Sequence, residues 1–214
     1  MGDVVTMTDN LQKKEDKRCV KSKQAIKHSL LVLLRDKPLA TITVSELTTM
    51  AQVNRKTFYN HYANISDVLD EMENDLIDKL FGFIDHAHPW HEVTNATNFF
   101  GKIFDAIKNN TAEFRLLIQS GTHLNLVEGF RAKIRTVFDD FLSRCDESDR
   151  VVMVYLLDYV CAGVVSVLER WSFECRDEEL DQLSKVVGAM IDGTVKNLGE
   201  VVSWKTDFLK KSNE

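Results

Sequence analysis

Apolar residues recur with a helical period along almost the whole chain. From Arg18, the positions Val20, Ala25, Ile26, Leu30, Leu33 and Leu34 fall at helical spacing with basic residues between them. That pattern predicts an amphipathic helix with one apolar stripe. Pro38 disfavours helical geometry at Lys37, so this helix is expected to stop before it. Residues 1–17 are polar, lack a period and read as a disordered arm. Thr43-Val44-Ser45-Glu46 predicts a capping box, in which the Thr43 hydroxyl accepts from the Glu46 amide and Glu46 reaches back. A short helix over 44–51 follows. Gln52-Val53 interrupts the pattern, and Asn54 is a good N-cap for a second short helix over 55–62. Asn64 with Asp67 caps a longer helix through Val68, Leu69, Met72, Leu76 and Leu80.

Beyond Pro89 every segment is again helical in period, with helices expected near 92–109, 112–120, 123–143, 149–173 and 178–202. The stretch 151–171 is apolar over much of its circumference, including Val152, Leu156, Tyr159, Val160, Val164, Val167 and Leu168. A helix of that kind is either central or part of a subunit interface. The last helix offers Leu180, Leu183, Val187, Met190, Ile191 and Leu198. The pattern therefore predicts an all-α protein: a head at 18–65 and a helical body at 66–214.

Composition agrees with this. The 214 residues are 44% hydrophobic and 28% charged, which suits an ordinary globular chain with a real core. Nine Gly and two Pro are too few for a β-sandwich or barrel, which turns every ~8–12 residues. No run is expected to reach the ~18–20 apolar residues of a membrane-spanning helix, and no signal peptide is read at the start. Cys19, Cys145, Cys161 and Cys175 are scattered without C-x-x-C spacing, so reduced thiols in a cytoplasmic protein are expected.

Charge changes the picture once it is divided. The net charge of −6 argues against a nucleic-acid partner. Yet residues 1–62 hold 11 Lys and Arg against 6 Asp and Glu, while the remainder holds 16 against 27. A basic first third on an acidic remainder points to one part that meets a polyanion.

The long, short, short succession of helices in that basic third, with a brief turn between the short ones, describes a helix-turn-helix. A helix enters the major groove of DNA, and side chains near its start reach base edges. Here those are Arg55, Lys56 and Thr57, with Asn54 just before them. Arg and Lys can donate to guanine, and the Thr methyl can contact a thymine methyl. Phe58 and Tyr62 lie four apart and are placed to plug into the core. Tyr59, Asn60 and His61 are expected to turn polar tips outward for phosphates, and Thr43 and Ser45 to add phosphate or base contacts. Lys17, Arg18, Lys21 and Lys23 supply accessory phosphate contacts.

These residues resemble a family. The stretch ITVSELTTMAQVNRKTFYNHYANISDVL, from Ile42 to Leu69, is similar to the DNA-binding segment of TetR-type (TetR/AcrR) transcriptional regulators. Ile42, Thr43, Leu47, Val53, Thr57, Phe58, Tyr59, His61, Tyr62 and Leu69 match that family's pattern. The chain departs from it at Gln52, where the family carries Gly in the turn, and at Ile65, where it carries a Lys that anchors a phosphate. The resemblance covers roughly residues 18–69. It implies a body that binds a small molecule and a dimer in which the last two helices pair with their symmetry mates.

For the body the expected assignments are Phe100, Phe104, Phe114, Tyr155 and Tyr159 lining a ligand pocket. The dimer interface is expected at Val160, Val164, Val167, Leu168, Leu183, Val187 and Met190. A dimer follows from physics as well, because one recognition helix makes few base contacts and a two-fold dimer on a palindrome doubles them. His86, His88 and His91 have a spacing that could ligate Zn²⁺ or Ni²⁺, but they fall beside Pro89 in what reads as a solvated helix junction; no metal and no cofactor is expected. The chain contains no G-x-S-x-G, no G-x-x-x-x-G-K-[ST] and no H-E-x-x-H, so no enzyme is expected. The function expected is a sequence-specific DNA-binding regulator, a repressor whose operator affinity is altered by an unknown small molecule. The rival is a helical regulator acting mainly through a protein partner, with secondary DNA contact.

Overall fold

α1 (Asp3–Asp36) runs as one helix up to the stop that Pro38 imposes. In the computed structural model, the described residues are 3–84, 96–120, 124–144, 146–174 and 179–201. Among them every regular element is helical. α1 begins at Asp3 rather than at Arg18, so the backbone expected as a disordered arm continues the helix. Residues 3–17 contain neither Gly nor Pro and include good helix formers such as Leu11, Gln12, Lys13, Lys14 and Glu15. Extending a formed helix costs far less than nucleating one.

A single 3₁₀ turn (Leu39–Thr41) leads into α2 (Val44–Met50), α3 (Arg55–His61) and α4 (Ile65–Leu80). The chain divides into two compact units inside α4, between Met72 and Glu73, rather than at residue 65. The first turns of α4 thus belong with the head, and Val68, Leu69 and Met72 are buried. In the head α1 packs on α2 and α3, and α2 on α3. Ile26, Leu30 and Leu33 of α1, Leu47 of α2 and Phe58 of α3 are all buried, whereas Val20, expected on the same stripe of α1, is 52% exposed.

The second unit contains α5 (Ala96–Asn109), α6 (Thr111–Gln119), α7 (Leu124–Arg144), α8 (Glu147–Glu174) and α9 (Leu180–Val201). α5 packs along α9, while α6 and α7 both pack on α8. Trp171 of α8 is fully buried, with the Arg115 guanidinium 4.4 Å from its ring centroid. Arg115 and Gln119 of α6 also donate to the Ser172 carbonyl, at 2.9 and 2.6 Å. They satisfy one acceptor in the last turns of α8, where helix carbonyls run out of partners.

α8 corrects one sequence expectation. Between Val151 and Leu168 its only charged residue is Asp158, and the helix is long and apolar enough to cross a membrane by length and composition. The same property fits a helix with one face in a core and the other at an interface. Met153, Leu156, Leu157, Val160, Cys161, Val164 and Leu168 are buried within the unit, and Asp158 pairs with Arg135 of α7 at 2.7 Å.

α5 and α9 approach closely at Gly188. A Cβ there would lie 2.8 Å from Thr97 Cα, whereas one at Gly101 would meet nothing within 4 Å. Helix propensity alone favours Ala over Gly by about 1 kcal/mol. Gly101→Ala should therefore raise the thermal midpoint, and Gly188→Ala should lower it, because overpacking against backbone costs about 1–3 kcal/mol. A thermal melt followed by circular dichroism distinguishes the two; a stabilising Gly188→Ala would show that the helices can part freely.

Candidate nucleic-acid interface

Local chemistry sets the orientation of α3. The Asn54 side chain accepts from the Thr57 amide at 2.7 Å, the N-cap expected from its position. At the other end the Tyr62 amide donates to the Phe58 carbonyl at 2.9 Å. Phe58 and Tyr62 are buried with ring centroids 5.8 Å apart, so this pair anchors one face of the helix. Arg55, Lys56, Tyr59 and Asn60 are exposed on the other face, Tyr59 at 57%, while Thr57 is half-buried. No acidic residue occurs between Ala51 and Tyr62. That leaves a short, rigid, acid-free face with two cations and two hydrogen-bonding tips.

The α2–α3 turn is closed by backbone bonds. The Val53 amide donates to the Thr48 carbonyl at 3.0 Å and the Gln52 amide to the Thr49 carbonyl at 3.2 Å, the paired pattern of a Schellman cap. Such a cap needs a left-handed residue, and Gln52 supplies it with φ = 54°. Gln52 therefore adopts the backbone that the resembled family gives to Gly. Gln52→Gly is expected to be neutral or stabilising by up to about 1 kcal/mol, and Gln52→Val destabilising by about 1–2 kcal/mol, because a β-branched residue tolerates that region poorly. Chemical denaturation of the three proteins checks the order.

The caps flanking α3 are realised unequally. Thr43 accepts from the Glu46 amide at 3.2 Å, but the Glu46 carboxylate accepts from Lys37 and so ties α2 to the end of α1. At α4 the Asn64 side chain accepts from the Asp67 amide at 3.1 Å, and Asp67 accepts from the amide of Ala63, one residue before the cap, at 2.7 Å. Thr43 and Ser45 are exposed at the start of α2. His61 is half-buried, with Nδ1 3.7 Å from the Cys19 thiol of α1, so its ring leans towards the head.

Lys17, Arg18 and Lys21 are exposed along α1, as a phosphate-facing role requires. Lys23 differs from that expectation. Its ammonium donates to Glu71 of α4 at 2.8 Å and lies 5.4 Å from the centre of the Tyr62 ring. Lys27 pairs with the same carboxylate at 2.6 Å. Burial pushes the Glu71 carboxyl up, but hydrogen bonds from Lys23 and Lys27, with their charges, lower it to about 2. Lys23 is thus part of the head's internal bracing. Sequence spacing carries no signal for this pair, whose members lie 48 residues apart.

Burial sorts the expected body residues differently from those assignments. Tyr155 and Tyr159, expected in a pocket, are 72% and 67% exposed on α8. Val160, Val164 and Leu168, expected in the dimer interface, are buried within the unit, as is Val187. Val167 and Leu183 are half-buried, and Met190 is 65% exposed. Phe100, Phe104 and Phe114 are core residues. A cleft of about 380 Å³ is lined instead by Arg135, Thr136, Asp139, Leu142, Val154 and Leu157 of α7 and α8. Burial beside Asp158 pushes the Cys161 thiol up to about 11, which makes it a poor redox thiolate. His86, His88, His91, Cys145 and Cys175 lie outside the described residues.

Three comparisons bear on this arrangement. A TetR-type family model, described as a transcriptional regulator C-terminal region, matches residues 94–193. An uncharacterized HTH-type transcriptional regulator YxbF of Bacillus subtilis (strain 168) is 37% identical over 62 residues, 28% of this chain. That match spans only 16% of the relative's length. The dihydroxyacetone kinase operon activator DhaS superposes with a TM-score of 0.53 at 13% identity, covering 82% of this chain and 96% of its own, a likeness of fold.

Proposed function

We propose that the chain, whose residues 94–193 match a TetR-type regulator model and which is similar over 62 residues to an HTH-type regulator, is a TetR-type transcriptional regulator that binds duplex DNA sequence-specifically as a homodimer. The observation that carries this reading is the exposed, acid-free face of α3, with Arg55, Lys56, Tyr59 and Asn60 held outward by the buried Phe58–Tyr62 pair. Arg and Lys at the start of such a helix read base edges, and Tyr59 and Asn60 reach phosphates. The exposed α1 residues Lys17, Arg18 and Lys21 extend the contact to the backbone. The role proposed is cytoplasmic, non-enzymatic repression by occupancy of an operator.

The proposed dimer uses the outward face of α8 and α9. Val151, Tyr155 and Tyr159 succeed one another at four-residue intervals, and Val186 and Met190 are exposed on α9. An added Cβ at Gly163 of α8 or Gly193 of α9 would meet nothing within 4 Å. Glycines weaken a helix, and open glycines on apolar faces suit the close approach of a second copy. For the effector, the cleft on α7 and α8 falls within the ~300–1,000 Å³ typical of small-molecule sites, and it presents Arg135 and Asp139 beside Leu142 and Leu157. By linkage, an effector that weakens operator binding must itself be bound more weakly by the operator complex.

Selection of bound sites from random duplexes tests the central claim. A palindromic consensus whose affinity falls steeply with salt supports it. A folded protein that enriches no sequence refutes it and leaves the partner-protein reading.

A further inference from the structure

Three helices of the head meet around one carboxylate. Glu71 of α4 accepts from Lys23 and Lys27, both on α1, at 2.8 and 2.6 Å. The Lys23 ammonium lies 5.4 Å from the Tyr62 ring centroid, and Tyr62 is the C-cap of α3. Tyr62 in turn is 4% exposed and lies against Phe58, the buried anchor of α3. The geometry points to Glu71 as a positioning residue for DNA recognition: through Lys23 it holds Tyr62, and with it the angle at which α3 presents Arg55, Lys56, Tyr59 and Asn60. This rests on the DNA-binding reading above.

The alternative role for Glu71 is charge balance or ordinary bracing. Lys23 and Glu71 keep 34% and 31% of their side-chain surface exposed. Ion pairs so placed add little to global stability, so bracing alone does not require this arrangement. What the carboxylate does is hold a long, flexible ammonium over one ring. Without it, Lys23 is released to solvent and to DNA phosphates.

The two roles give opposite results. If Glu71 merely offsets basic charge, Glu71→Gln removes one negative charge from the basic head; specific and non-specific duplex binding then both tighten, with a steeper salt dependence. If it positions α3, specific binding weakens while non-specific binding does not, and the specificity ratio falls about tenfold, roughly the loss of one good base contact. Lys23→Met should behave like Glu71→Gln. Lys23→Arg, which keeps both the ion pair and the ring contact, should retain the wild-type ratio.

The experiment uses the full chain, the duplex that wild type selects from a random pool, and an unrelated duplex, titrated between 50 and 200 mM salt. Thermal midpoints are measured alongside. A reduced ratio in Glu71→Gln and Lys23→Met, with Lys23→Arg near wild type and midpoints little changed, is the expected result. An unchanged or raised ratio in the folded variants overturns the positioning role and leaves the DNA reading intact. If Glu71→Gln fails to fold, the Lys23→Met and Lys23→Arg pair decides. A wild-type chain that selects no duplex overturns both.

Discussion

Replacing Arg55 and Lys56 together by alanine is expected to abolish operator recognition and leave the fold unchanged. Both side chains are exposed, and among the described residues neither makes a hydrogen bond or ion pair. Removing them should therefore cost little stability, within about 0.5 kcal/mol. Their contacts with DNA are another matter. A good bidentate base contact discriminates by about 1–3 kcal/mol, and a lost phosphate contact lowers the slope of log affinity against log salt by about 1. Two such residues on each of two half-sites make the combined loss at least ~100-fold. The single variants separate the roles: a base-reading residue relaxes preference at one position, and a phosphate-binding residue weakens all duplexes alike. Quantitative titration of the selected duplex decides it, and wild-type affinity in the double variant would remove α3 from the interface.

The second large effect is expected at the outward face of α8. Tyr155→Glu with Tyr159→Glu should convert the proposed dimer into a folded monomer. At 72% and 67% exposure, neither ring supports the core of its own chain, so the unit should keep its helix content. In a two-fold interface the substitution places four carboxylates where apolar surface meets apolar surface. Leaving such charges desolvated and unpaired costs several kcal/mol. Sedimentation should then report a single-chain mass, and operator affinity should fall by about two orders of magnitude or more as one of two half-site contacts is lost. A wild-type chain that sediments as a monomer, or a double variant that remains dimeric, would take the interface away from this face.

Much of the head was legible from short-range chemistry. Asn54, Asn64, Asp67 and Thr43 cap helices where their types and spacing indicated, because a cap is a contact between residues three or four apart. Phe58 and Tyr62 went inward and Arg55, Lys56, Tyr59 and Asn60 outward, because Phe58 within the short helix and Tyr62 at its C-cap lie one turn apart and are buried together. The Gln52 departure was also visible, since the turn demands a left-handed residue whatever its side chain. Glu46 was read only halfway: its carboxylate found Lys37 across the α1–α2 junction instead of its own helix end.

The body shows where local reading ends. The periodic spacing of apolar residues placed α5 to α9 within a few residues, since helix period depends on neighbours along the chain. It did not say which side of α8 faces inward. A helix apolar nearly all round has no polar face to orient it, so Val160 and Val164 could be mistaken for interface and Tyr155 and Tyr159 for pocket. Only packing against α6 and α7 made the choice. The same holds for Lys23, a basic residue among many until the fold brought Glu71 and Tyr62 beside it. Helices, caps and the exposed face of α3 are consequences of contacts within one turn, which the order of residues specifies. Which faces are buried, and which charges pair, depends on residues dozens of positions apart meeting in space, and that is decided by tertiary structure.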